Sequence, residues 1–215
     1  MAALLLADGR FPSGGHAHSG GVEEAVTSGR VTVLDSLRAF LAGRLATAGR
    51  VAAALAALAC RGTWPVDVLD AEADARMASP ALRAASRRQG RQLLRSAAHA
   101  WPTLASVESV HHPVAVGVVA AAAGLAPVDG ARWAAYDAVM TPATAAVRLL
   151  GLDPFLVSAV VAGLAVAIDE VAAEAAAFAA GDGVTSLADL QCPASPLLDL
   201  GGEVLARREV RLFAS

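Results

Sequence analysis

The residues best suited to chemistry sit in one short stretch, Phe11-Pro-Ser-Gly-Gly-His-Ala-His-Ser-Gly-Gly-Val-Glu23. His16 and His18 stand two apart, so an extended backbone would let both reach one metal ion. Two ligands alone make a weak, exchangeable site, because structural zinc takes four. Gly14, Gly15, Gly20 and Gly21 permit positive φ and hence two sharp turns, and Pro12 stiffens the approach. The glycines do not build a phosphate cradle, since no G-x-x-x-x-G-K run is present and no strand precedes them. A structural account is also complete: Ser19 caps a helix that begins near Gly21, and Glu23 occupies its first turn, where negative charge is favoured.

Two further constellations carry charge. Arg83, Arg87, Arg91 and Arg95 recur at i, i+4 with Arg88 beside them, and no acid falls between Ser79 and His99. Such a stripe either pairs with the acidic segment Asp67–Asp74 or docks an acidic partner. His111-His112-Pro113 opens an apolar segment; adjacent histidines diverge on a helix, which favours capping or packing over a shared metal. Glu108, three residues before His111, could ligand a metal only weakly. Asp169, Glu170 and Glu174 read as a solvated face. A metal-dependent hydrolase using His16, His18, His111 or His112 is the enzymatic alternative, although no GxSxG or HExxH supports it.

Composition narrows the field. The 215 residues carry 17 basic groups, all Arg, against 20 acidic ones, for a net charge of -3. The absence of Lys excludes a Schiff-base or P-loop lysine. With no global basic field, nucleic acid is not an expected partner. Cys60 and Cys192 form no CxxC pair, which fits a reducing, cytoplasmic setting and excludes a Cys-based zinc site. Met1–Ala7 is apolar but lacks the basic start of a signal peptide. The mean hydropathy of +0.53 raises a membrane-surface reading. However, the strongest apolar stretches, Pro113–Val128 and Pro154–Ile168, fall short of a span of about 20 residues and read as buried core helices, so no membrane association is expected.

The elements that must hold these residues are helical. Alanine makes up about a quarter of the chain, and strand-type β-branched and aromatic runs are missing. The expected architecture is a single all-α domain over residues 1–215, a bundle of about nine helices, with a Gly/His loop segment over 1–30 and a tail over 192–215. A capping box at Thr32–Asp35 starts the first long helix, which runs to about Leu45. Val51–Cys60, the acidic segment after Trp64-Pro65, Ser79-Pro80 to about His99, and His112–Gly124 follow. Pro127–Gly130 reads as a turn, and Ala131–Leu150 as a helix broken at Thr141-Pro142. Asp153-Pro154 opens the longest helix, ended by Gly181. A last helical turn falls near Glu203–Arg208, and the closing Arg211-Leu-Phe-Ala-Ser215 combines a charge with two apolar anchors.

The pattern Pro12-x-Gly14-Gly15-x-x-His18-Ser19-x-Gly21-x-Glu23 resembles the opening signature of the urease accessory protein F family. The resemblance continues in Arg83-x-x-Ser86-x-x-Gln89-Gly90-Arg91-x-Leu93-Leu94, in His112-Pro113-Val114-x-x-Gly117 and in Arg211-Leu212-Phe213-x-Ser215, across nearly the whole chain. It implies an all-α, non-enzymatic chaperone that tends to dimerise. Such a protein bridges urease accessory protein D, also called H, and the GTPase accessory protein G, and supports GTP-dependent nickel insertion into apo-urease. No stably bound cofactor is implied; nickel passes through the complex as cargo. By the same resemblance the partner-binding residues are Pro12, Gly14, Gly15, His18, Ser19, Gly21, Glu23, Arg83, Arg87, Arg91, Arg211, Leu212, Phe213 and Ser215.

Overall fold

A computed structural model describes residues 2–7, 11, 17–107, 109–181 and 186–213, and their regular structure is helical throughout. The helices are α1 (Ala2–Ala7), α2 (Val22–Thr27), α3 (Leu34–Arg44), α4 (Arg50–Arg61), α5 (Val66–Ala75), α6 (Pro80–Ala98), α7 (His112–Ala122), α8 (Pro127–Leu150), α9 (Pro154–Ala162), α10 (Ala165–Ala180) and α11 (Pro196–Ala206). The all-α expectation holds.

Helix α4 is the central element and packs against α7, α8 and α10. Its buried face is Ala53, Leu55, Ala56, Ala57, Leu58, Ala59 and Cys60. Small side chains let the axes approach until backbone meets side chain. A Cβ at Gly117 of α7 would lie 2.6 Å from Ala59 Cβ, so only glycine fits that crossing. Gly90 of α6 serves the same purpose in the next layer outward, where a Cβ would overlap the Val110 carbonyl oxygen and lie 3.1 Å from the His111 carbonyl carbon.

Several boundaries differ from the sequence expectation. Helix α3 starts at Leu34, and Ser36 rather than Asp35 closes its start: Ser36 Oγ accepts from the Thr32 and Val33 N–H groups at 3.0 and 3.1 Å. Helices α3 and α4 are joined by a π-turn, Leu45–Gly49, so 34–61 is one continuous helical run. Pro127–Gly130 is the first turn of α8, with Pro127 where an N–H is not needed. The helix expected from Asp153 to Gly181 bends by 44° between α9 and α10, and the 24-residue α8 is the longest purely α-helical element among the described residues. The last helix extends back to Pro196. The caps at Ser79, Asp153 and Gly181 stand where the sequence placed them.

Pro142 does not break α8; it lies inside it. A proline at this position leaves the carbonyl four residues earlier without its N–H partner. That carbonyl belongs to Ala138, and the Arg44 side chain donates Nε–H to it at 2.9 Å. The last residue of α3 therefore repairs the gap that Pro142 opens. Replacing Arg44 with Met keeps the apolar stem and orphans the Ala138 oxygen, with an expected loss of about 1–3 kcal/mol in denaturant unfolding.

The run Leu34–Arg61 is the one described single helix long and apolar enough to cross a membrane, and half of its most apolar window is buried in the domain; the bent pair α9–α10 reaches that length and apolarity only when taken together. Leu34–Arg61 is not either of the stretches singled out by apolar composition. It also carries Arg50, paired with Glu174 of α10.

Candidate partner-binding site

The opening motif turns on Gly20 and Gly21, at φ 59° and 88°, a region that L side chains rarely adopt. Space is as tight as the backbone: a Cβ at Gly20 would come 3.1 Å from Pro142 Cδ, and one at Gly21 3.0 Å from Leu198 of α11. Gly21 itself is the N-cap of α2, and no side chain caps that helix; Ser19, expected to do so, contributes its carbonyl to the Val22 N–H at 3.2 Å.

Glu23 lies in the first turn of α2, as expected, and is buried. Its carboxylate accepts the Leu212 N–H at 2.7 Å and the Phe213 N–H at 3.1 Å. Two charge-assisted bonds offset the cost of burying the charge. Beside it, the buried Glu24 pairs with Arg208 at 2.6 Å. The opening and closing motifs therefore form one junction. Phe213 is buried against the domain, while Leu212 is 73% exposed and Arg211 is in solvent. The two apolar anchors of the tail thus face opposite ways, one on the body and one outward.

Phe213 lines a 750 Å³ cavity together with Phe11, His18 and, from α8, Trp133 and Met140. His18 is buried, and burial, aided by the nearby Arg88 and His112 and opposed by Asp137, pushes its pKa from 6.5 down to about 4. His112 Nδ1 stands 3.7 Å from Asp137 Oδ2, and burial lowers its pKa as well. A histidine whose folded pKa is depressed binds its proton preferentially in the unfolded chain. Stability is therefore expected to be full above about pH 6.5 and to fall as the pH drops from 6.5 toward 4. Urea midpoints measured across that range should show a slope that His18→Gln flattens.

The arginine stripe of α6 divides. Arg83 donates to the Met77 carbonyl at 2.7 Å and approaches Asp74 at 3.8 Å. Arg87 binds Asp70 at 2.6 Å and Asp74 at 3.3 Å. These two complete a knot in which Asp70 also accepts the His111 N–H at 2.7 Å and Asp74 meets His111 Nε2 at 2.9 Å. The His111 and Arg87 hydrogen bonds hold the Asp74 carboxyl below its usual range, against a burial penalty. Arg91 turns instead to Ser109 Oγ at 2.9 Å.

His111 and His112 diverge, as the spacing predicted. The first is fully buried on α5, while the second starts α7 with its N–H on Ser86 Oγ at 3.1 Å. The middle motifs thus secure the α6–α7 contact through Ser86 and Gly90. Of the described histidines of the hydrolase alternative, His18 and His112 share the Asp137 region, whereas His111 faces Asp74. Among the described residues no three His, Cys, Asp or Glu side chains gather at metal-binding distance. Pro12, Gly14, Gly15, His16, Glu108 and Ser215 lie outside the described residues.

Pairing of the stripe with the acidic segment was one of the two outcomes the sequence offered, and Arg87 with Asp70 and Asp74 realises it; Ser86 stood in a motif without an assigned contact, and Arg44 was not signalled. Only Pro142 advertised a need: an in-helix proline requires some outside donor for its i−4 carbonyl.

Comparison with known proteins agrees with this picture. The UreF family model matches residues 31–165. A urease accessory protein UreF of Mycobacterium sp. (strain JLS) is 49% identical over 99% of this chain and 97% of its own length. The protein of the same name from Mycolicibacterium vanbaalenii is 47% identical over the same shares, and that of Mycobacterium tuberculosis H37Rv 43%. With motifs, fold and full-length similarity in register, the chain belongs to the UreF family of urease accessory proteins.

Proposed function

We propose that this chain is a non-catalytic scaffold of urease maturation. It joins urease accessory protein D/H to the GTPase accessory protein G, so that nickel enters apo-urease as cargo in a GTP-dependent step. It works in the cytoplasm and pairs with a second copy of itself. The observation that carries this reading is the Glu23 clamp. It fuses the two motifs most typical of the family into one surface and leaves Leu212 projecting from it.

The neighbouring α11 adds an apolar stripe at i, i+3, i+7: Leu197, Leu200 and Val204 are 60%, 64% and 47% exposed. An apolar centre with Arg207 and Arg211 at its margin has the composition of a docking surface, in which a few anchors supply most of the binding energy. Accessory protein D/H is assigned to this face, because the stripe is continuous with the tail.

Affinity purification of the tagged chain from cells co-expressing D/H, G and apo-urease tests the proposal. Co-elution of D/H and G in one complex is expected. Recovery of the chain alone, with both partners soluble in the flow-through, would overturn it.

A further inference from the structure

Helix α6 brings five arginines and no carboxylate to one segment of the surface. Helix α5 neutralises only the first portion of that charge, through Asp70 and Asp74 on Arg87 and Asp74 beside Arg83. Further along, Arg91 donates to Ser109 Oγ and Arg95 to Gln92 Oε1, both neutral, and neither reaches a carboxylate among the described residues. Both arginines are exposed. They stand one turn apart, with His99 one turn beyond.

These three side chains rim a 460 Å³ cleft between α6 and the 3-10 turn Pro102–Ser106, floored by Leu94, Leu104 and Val107. A cationic rim above an apolar floor is half of a recognition pair. Its complement carries carboxylates at the arginine spacing and one apolar side chain between them. Two glutamates four residues apart on a helix provide that spacing, and a leucine on the same face fits the floor.

We propose that this cleft docks an acidic, leucine-anchored helical segment of a protein partner, as an attachment point distinct from the head–tail junction. The inference rests on the scaffold reading and adds to it a second face with a stated chemistry. A nucleotide fits less well. No Trp, Tyr or Phe lines the cleft to stack on a base, and the cleft lies along the body and C-terminal end of α6, away from the N–H groups that helix N-termini offer to phosphate.

The test uses the full chain and a fluorescein-labelled helical peptide with glutamates four residues apart flanking a leucine, followed by anisotropy. Saturable binding is expected, weakening as NaCl rises. The doubly reversed variant Arg91→Glu/Arg95→Glu should lose at least tenfold in affinity, and the same peptide with glutamines should bind at least tenfold more weakly. Ala98→Phe, which fills the cleft without altering charge, should also weaken binding, while circular dichroism confirms that each variant is folded. The proposal is overturned by no saturable binding, by equal affinity for the glutamine peptide, by binding unaffected by charge reversal, or by displacement of the peptide with guanosine triphosphate. Urease activation in cells is a separate readout: a chain that binds the peptide but does not support activation contradicts the scaffold reading and leaves the cleft assignment standing.

Discussion

Truncation of the chain after Arg208 is expected to cost both stability and partner capture. Arg208 stays paired with Glu24, but Glu23 loses both N–H donors, and Phe213 leaves its site beside the cavity. Burial of a phenylalanine contributes about 1.5–3 kcal/mol, and a hydrogen bond to a charged group about 1.5–3 kcal/mol. A loss on the order of 3 kcal/mol lowers the Tm of a domain this size by roughly 6–12 °C. Retention of accessory protein D/H on the tagged chain should fall at least tenfold.

A second variant separates anchoring from recognition. Leu212→Asp leaves the backbone N–H on Glu23 and alters only an exposed side chain. Its Tm should stay within about 1–2 °C of the parent, because exposed substitutions change stability by about 0.5 kcal/mol or less, while D/H retention drops. If the truncated chain keeps its Tm and its partner, the clamp is incidental.

The other large effect is expected at Gly90→Ala. The added methyl would overlap the Val110 carbonyl oxygen, and the obstacle is backbone, not a side chain that can turn away. Helix α6 must then retreat from the start of α7. That movement loosens the His112 N–H bond to Ser86 and the Arg87–Asp70–His111 knot together. Overpacking a core usually costs about 1–3 kcal/mol. With a rigid partner and a coupled polar network the expected loss is at or above the top of that range, read as a fall in urea midpoint. Gly43 in α3 is the control, since nothing lies within 4 Å of its Cβ position. There Gly→Ala should stabilise by about 0.5–1 kcal/mol through helix propensity.

These two expectations also mark what the sequence could and could not disclose. Local chemistry was legible. Ser79 ahead of Pro80, Asp153 ahead of Pro154 and Gly181 behind the last helical turn are caps whose physics acts within a few residues, and they stand where expected. The all-α class followed from alanine content and period in the same way. Pairings across the chain were not legible. Glu23 meets residues 189 and 190 positions away, and nothing near Glu23 announces that its partners are backbone N–H groups of the tail.

The proline rule predicts a break at Pro142 because it considers only the helix that contains the proline, whereas here the missing bond is restored from α3. The arginine stripe offered two outcomes at once, and the structure divides it between them: Arg83 and Arg87 go to α5, and Arg91 and Arg95 face outward. Period alone sets which residues share a face, while the neighbouring helix decides which charges it neutralises.

The central claim is that this chain acts by holding other proteins together while urease receives its metal. The most direct measurement is the nickel content of urease purified from a strain lacking the chain, beside the same strain with the chain restored. The account predicts assembled urease with little nickel and little activity in the deletion strain, both recovered on complementation. Fully nickel-loaded, active urease in its absence would contradict it.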